Sequence, residues 1–159
     1  ALTGHLVFST LHTNDSISSI TRLQNMGTPD YLIAAALSLV LAQRLVRKNC
    51  PECKISDESI SIKLLNSIGI SPEIAARAKI LKGKGCDKCN HSGYKGRMAV
   101  YEVLDISKEM KNAILVNVGS TELLTLAKKQ GFRTMQEMGH ELLLSGNLSF
   151  AEYQRVLLV

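Results

Sequence analysis

The sequence predicts a mostly α-helical α/β chain in three parts: the remnant of a parallel-sheet core over 1–49, a small zinc-binding module over 50–96, and a strand followed by a C-terminal helical domain over 97–159. Three observations carry that prediction. Leu6-Val7-Phe8 has the continuous apolarity of a strand buried on both faces. All four cysteines fall into two CxxC pairs, Cys50/Cys53 and Cys86/Cys89. Beyond Leu104 the chain reads as a succession of helix caps and helix stops.

Each element follows from local chemistry. The chain opens at Ala1-Leu2-Thr3-Gly4 without methionine and enters Leu6-Val7-Phe8 almost at once, so this strand is expected to be an excised piece of a sheet, frayed or paired with another molecule. Asn14 or Asp15 caps a helix running to Met26, where Gly27 supplies a left-handed stop. Thr28-Pro29 starts a second helix, predicted to run through Leu45 towards Cys50. Ser71-Pro72 opens a short helix to about Ala78, and Lys79 to Leu81 reads as a strand. Gly93-Tyr94-Lys95-Gly96 is a turn into a strand from Arg97 to Leu104, with Met98, Val100 and Leu104 on one face. Four short helices follow, with Ser107 and Ser120 as caps, Gly119 and Gly131 as stops, and capping boxes at Thr134-x-x-Glu137 and Ser149-x-x-Glu152.

Two CxxC turns aim four sulfurs at one ion, which is the donor set of a closed, structural zinc site formed by Cys50, Cys53, Cys86 and Cys89. The 32 residues from Lys54 to Gly85 exceed the commonest zinc-ribbon spacing and leave room for a small helical excursion. A thioredoxin-type redox motif comes singly and opens a helix after a strand, which neither pair does. A disulfide scaffold is unnecessary in a chain of 159 residues that is 45% apolar. The longest apolar run, Tyr31 to Ala42, is too short to span a bilayer.

A net charge of +5 favours acidic partners, whether nucleic acid, an anionic lipid surface or an acidic protein face. Arg44, Arg47, Lys48 and Lys54 flank the first cysteine pair, and Lys79, Lys82, Lys84, Lys88, Lys95 and Arg97 surround the second. Such a rim offsets the surplus negative charge of four thiolates on one Zn²⁺. A zinc-ribbon nucleic-acid module is the alternative reading. At 4% aromatic content, stacking platforms for bases are scarce, so nucleic acid is not the expected partner.

Thr3-Gly4-His5-Leu6-Val7-Phe8-Ser9-Thr10-Leu11-His12-Thr13-Asn14-Asp15 resembles the histidine box of the secretion ATPase superfamily that drives type II secretion and type IV pilus assembly. Leu41-Ala42-Gln43-Arg44-Leu45-Val46-Arg47 before Cys50-Pro51-x-Cys53, then Gly85-Cys86-x-x-Cys89-x-x-x-Gly93-Tyr94-x-Gly96-Arg97-x-Ala99-x-Tyr101-Glu102, resembles its zinc-bearing assembly branch. The resemblance implies that residues 1–49 are the tail of a RecA-like P-loop ATPase core, using ATP and Mg²⁺ in a full-length parent. It further implies a hexamer on the cytoplasmic face of the bacterial inner membrane, with platform proteins as partners. No G-x-x-x-x-G-K-[ST] occurs in the sequence, so the isolated chain is expected not to hydrolyse ATP.

The resemblance assigns His12, and with it His5, to sensing the nucleotide's terminal phosphate. His12 lies in a polar cluster just beyond the expected strand end, where open α/β sheets place ligands. His5 reads equally as an exposed residue at a strand start. Asp15 reads as a helix cap or as a catalytic group. His91 is a spare ligand at most, since four cysteines fill the shell, and His140 is expected at the surface or rim of a C-terminal helix.

Overall fold

A computed structural model describes residues 1–158. The chain divides into two compact units, Ala1–Gln43 with Tyr101–Thr134 and Arg44–Val100 with Met135–Val159. Two strands, β1 (Leu39–Asn49) and β4 (Tyr94–Asp105), pair with each other, and each contributes residues to both units.

The first unit is a helical cluster. Helix α1 (Ser16–Asn25) starts where Asp15 accepts the N–H of Ser18 at 2.6 Å, and it buries Ile17 and Ile20. Helix α2 (Asp30–Ala36) follows Pro29 and buries Ile33 and Ala34. Helix α5 (Lys108–Leu115) is capped by the Ser107 hydroxyl, which accepts the N–H of Met110 at 3.1 Å, and helix α6 (Ser120–Lys129) begins after Gly119. These helices enclose Ile20, Ile33, Leu104, Met110, Ile114 and Leu123 in one core. Fully burying each such side chain stabilises the fold by about 1.5–3 kcal/mol.

Leu6-Val7-Phe8, expected as a strand frayed or paired with another molecule, lies outside both sheets and is strongly exposed, Phe8 at 88%. The run joins no ladder among the described residues, so its β-propensity is unexpressed. The predicted helix from Pro29 to Leu45 is also corrected. It stops at Ala36, and Leu39–Asn49 is extended. The apolar run is ambiguous by periodicity, and pairing with β4 decides it in favour of a strand, with Leu39, Leu41 and Leu45 exposed and Val46 buried.

The second unit holds the cysteines. Strands β2 (Lys54–Ser56) and β3 (Leu81–Gly83) pair antiparallel, Lys54 opposite Gly83 and Ser56 opposite Leu81, so β3 begins two residues later than the predicted Lys79. Between them the expected helical excursion is two helices, α3 (Ile62–Ser67) and α4 (Pro72–Arg77). Leu65, Ile70, Ala75 and Ile80 from this excursion share a core with Leu143 and Phe150 of helices α7 (Met135–Leu144) and α8 (Phe150–Leu157).

Two of the predicted caps change. Ser120 is the first residue of α6 and Gly119 its cap, while α5 closes at Asn117, which takes a left-handed φ of 53°. Ser149 caps α8 by accepting the N–H of Glu152 at 3.2 Å, but the Glu152 side chain does not close the box. Its carboxylate, wholly buried, instead takes Arg47 at 2.7 Å and Arg155 at 2.6 Å. Arg47 also lies over the ring of Tyr94, 4.1 Å from its centre, and the Tyr94 hydroxyl meets the Ser149 hydroxyl at 2.9 Å. β1, β4 and α8 are thereby tied together within this unit.

Candidate metal centre and histidine segment

Each cysteine sits on a tight turn built for it. Cys50 ends β1 and Pro51–Cys53 forms a single 3-10 turn; Asp87–Cys89 forms another after Cys86. Asn90 and His91 follow with left-handed φ of 48° and 57°, and the N–H of His91 returns to the Cys86 carbonyl at 2.9 Å. Asn49 anchors the first turn from behind, donating its side-chain N–H groups to the carbonyls of Leu81 and Gly146.

Close backbone packing brings the two turns together. A Cβ on Gly83 would collide with the carbonyl of Gly93, and one on Gly93 would lie 2.6 Å from the carbonyl oxygen of Gly83. The N–H of Cys50 donates to that same Gly93 carbonyl at 2.8 Å.

The four sulfurs all lie within 4.8 Å of one another. Cys50 to Cys86 is 3.9 Å, Cys53 to Cys89 is 3.9 Å and Cys86 to Cys89 is 3.7 Å. A tetrahedral ion with Zn–S bonds of about 2.3 Å requires sulfur separations of roughly 3.8 Å, which these three match, so the cluster could hold a metal ion. All four cysteines are free, and these separations are far outside the disulfide bond length of about 2.05 Å.

Backbone N–H groups point at the sulfurs as well: Gly85 to Cys53 at 3.3 Å, Cys86 to Cys89 at 3.2 Å and Gly93 to Cys89 at 3.3 Å. Burial raises the Cys89 thiol, but the two N–H donors and the neighbouring thiols of Cys86 and Cys53 outweigh it and bring the pKa down to about 6. Burial and the Cys89 side chain push Cys86 up to about 11, and burial raises Cys53. Cys89 is thus the sulfur whose surroundings most favour the thiolate a metal requires. His91 stands outside the cluster, exposed, with its Nε2 3.2 Å from Asp87. His140 is half-buried, at the rim of its helix. Its Nε2 meets the Tyr153 hydroxyl at 2.8 Å, its ring stacks on that of Tyr153 at 5.4 Å, and burial lowers its pKa.

The histidine segment lies in the first unit and is built differently. His5 and His12 are both exposed, His5 within 3.0 Å of the Thr3 hydroxyl. Side-chain contacts gather after His12: the Thr13 and Ser19 hydroxyls meet at 2.8 Å, and the Asp15 carbonyl accepts the hydroxyls of Ser18 and Ser19 at 3.1 Å. At the start of α1, Glu102 accepts both the N–H and the hydroxyl of Ser16, at 2.6 and 2.8 Å. Two N–H groups of the first helical turn are therefore already held by carboxylates, Asp15 and Glu102, and that helix end offers them to no other anion.

Sequence reading did not single out Glu102 as a site residue. The signal was available: it shares the buried face of β4 with Val100 and Leu104, two positions either side, where an unpaired carboxylate would be costly. A groove of about 1050 Å³ beside the segment is lined by Val7, Phe8, Thr13, Leu32, Leu37 and Val40 among others.

A family model described as type II/IV secretion system protein matches residues 1–155. The chain is 43% identical over 139 residues to the type IV pilus assembly ATPase PilB of Thermus thermophilus, covering 87% of this chain and 16% of that protein. It is 42% identical over 156 residues to the type IV pilus assembly ATPase TfpB of Acinetobacter baylyi, covering 98% of this chain and 26% of that protein. To the type II secretion system protein E of Aeromonas hydrophila it is 36% identical over 156 residues, covering 98% of this chain and 30% of that protein. The chain spans less than a third of the length of each of these relatives.

Proposed function

The chain belongs to the type II/IV secretion system protein family, and from that premise we propose that it is the C-terminal part of a motor ATPase that powers assembly of pilin-like fibres or secretion at the bacterial inner membrane. The full-length parent works as a hexamer with ATP and Mg²⁺. This part supplies a histidine box whose His12, and with it His5, responds to the terminal phosphate, a structural zinc site on Cys50, Cys53, Cys86 and Cys89, and a surface for platform proteins. The functional division is the tail of a RecA-like core over 1–49, the zinc module over 50–96 and the helical end over 97–159.

The single observation that carries this reading is the four-sulfur cluster. Three of its six sulfur separations are 3.7–3.9 Å and all are within 4.8 Å, which suits a tetrahedral ion, and it joins two CxxC turns that lie, in order, after the histidine segment and before the Gly93–Glu102 stretch. Bound zinc would act structurally here, since four protein ligands leave no position for water or substrate. Two of the four holding sulfurs, Cys53 and Cys89, are already served by backbone N–H donors.

The isolated chain has no phosphate-cradling loop and is expected to be inactive toward ATP. Native mass spectrometry before and after chelation, paired with a steady-state ATPase assay of the same preparation, tests both halves. One zinc per chain, lost together with the structure of Cys50–Gly96, and no turnover are the expected results. A folded metal-free chain would remove the zinc site, and turnover that tracks the chain through purification would remove the division of labour.

A further inference from the structure

A carboxylate on the buried face of a strand is an expensive choice. Glu102 is only 4% exposed and lies between buried Val100 and Leu104, where an apolar side chain would pack without a desolvation cost. Its Oε1 reaches Ser16, 86 positions away in sequence and itself fully buried, and accepts from both the backbone N–H at 2.6 Å and the side-chain Oγ at 2.8 Å. Both are short, charge-assisted hydrogen bonds, made at the positive end of α1.

These bonds fix where α1 begins. Asp15 then holds Ser18 and Ser19, and Ser19 holds Thr13, so the chain from Thr13 to Ser19 forms one locked turn whose long-range tether is Glu102. His12 is the next residue upstream of that turn, and the run before it is exposed. Any displacement of Ser16 relative to β4 is handed to His12 over four residues.

We propose that Glu102 is a positioning residue for the histidine box: through Ser16 it sets the place from which His12 meets a nucleotide's terminal phosphate. The proposal rests on the reading of His12 given above. It predicts that loss of Glu102 lowers turnover rather than nucleotide affinity, because Glu102 holds Ser16, the residue that directly follows the box.

The test is ATP hydrolysis by the full-length protein that carries this chain, as wild type and as His12→Ala, Glu102→Ala, Glu102→Gln and the double variant His12→Ala/Glu102→Ala. Amide exchange at Ser16–Ser19 is measured on each. Glu102→Ala is expected to lower kcat at least about ten-fold with KM for ATP changed by less than about two-fold, on the scale of a small misplacement of a reacting group. Glu102→Gln should lie between, since its amide oxygen still accepts from Ser16 but without charge. The double variant should be no slower than His12→Ala alone, because both changes remove the same contact.

A kcat unaffected by Glu102→Ala beside a His12→Ala defect would overturn the positioning role and leave the His12 reading standing. Additive losses in the double variant would also overturn it. An unaffected His12→Ala enzyme would overturn the His12 reading itself, and this proposal with it. Should Glu102→Ala fail to fold, Glu102→Gln with and without His12→Ala decides between the same outcomes.

Discussion

The tetracysteine cluster and the histidine segment are built on opposite plans. Every part of the metal site is held by residues of the same unit: two 3-10 turns, three N–H donors to sulfur, and glycines packed backbone to backbone. The histidine segment is tethered on one side only, through Thr13–Ser19 and Glu102, while Leu6, Val7 and Phe8 project into solvent. The cysteine cluster needs nothing from outside its unit to bring its sulfurs together. The histidine segment leaves both of its imidazoles exposed.

The strongest way to break that contrast is to open the sulfur shell. Cys53→Ser and Cys86→Ser should each drop zinc from about one per chain to near zero by native mass spectrometry. Amide-exchange protection across Cys50–Gly96 should be lost while α5 and α6 keep theirs, because α5 and α6 belong to the other unit's core. Structural zinc contributes an apparent free energy on the order of ten kcal/mol in small zinc peptides, so this is the largest effect expected. Retained protection at Gly83–Gly93 in either variant would show that the turns close without metal.

A smaller effect probes the same unit away from the metal. Burial would raise the Glu152 carboxyl, but Arg155 and Arg47 outweigh it and bring the pKa from an ordinary 4.5 down to about 2. Because the folded pKa is depressed, the stabilisation is present above pH 4.5 and lost as pH falls from 4.5 towards 2. With both arginines about half exposed, its size is about 2 kcal/mol after solvent screening. Glu152→Gln should be less stable than wild type by that amount at pH 7 in urea melts, with the gap closing as pH approaches 2. A gap independent of pH would mean that the carboxylate's charge is not what binds α8 to β1.

The smallest effect sharpens the view of the first unit as an ordinary helical core. Ser107→Ala removes the acceptor for the Met110 N–H at the start of α5 and should cost about 1 kcal/mol in thermal or urea unfolding, with zinc content unchanged. A loss of zinc in this variant would tie the two regions together more closely than their separate cores suggest.

Legibility in the sequence followed the range of the interactions. The cysteine site was readable because each CxxC is a local turn and the chemistry of four thiolates admits few uses. The C-terminal helices were readable through caps at Ser107 and Ser149 and the left-handed Gly131. Leu39–Asn49 was misread as helix because an apolar run has no period to betray a strand, and only the β4 ladder decides it. Ser149-x-x-Glu152 looked like a closed capping box, yet Glu152 is drawn away by Arg47, 105 positions earlier.

The amino-acid sequence by itself determined the metal donor set, the order of its turns and the helical character of the last third, since these depend on residues a few positions apart. Only the tertiary structure decided that Glu102 would hold Ser16 and that Glu152 would hold Arg47. Burying a carboxylate is tolerable only where the fold delivers a donor from a distant segment, and that delivery is a property of packing, not of spacing.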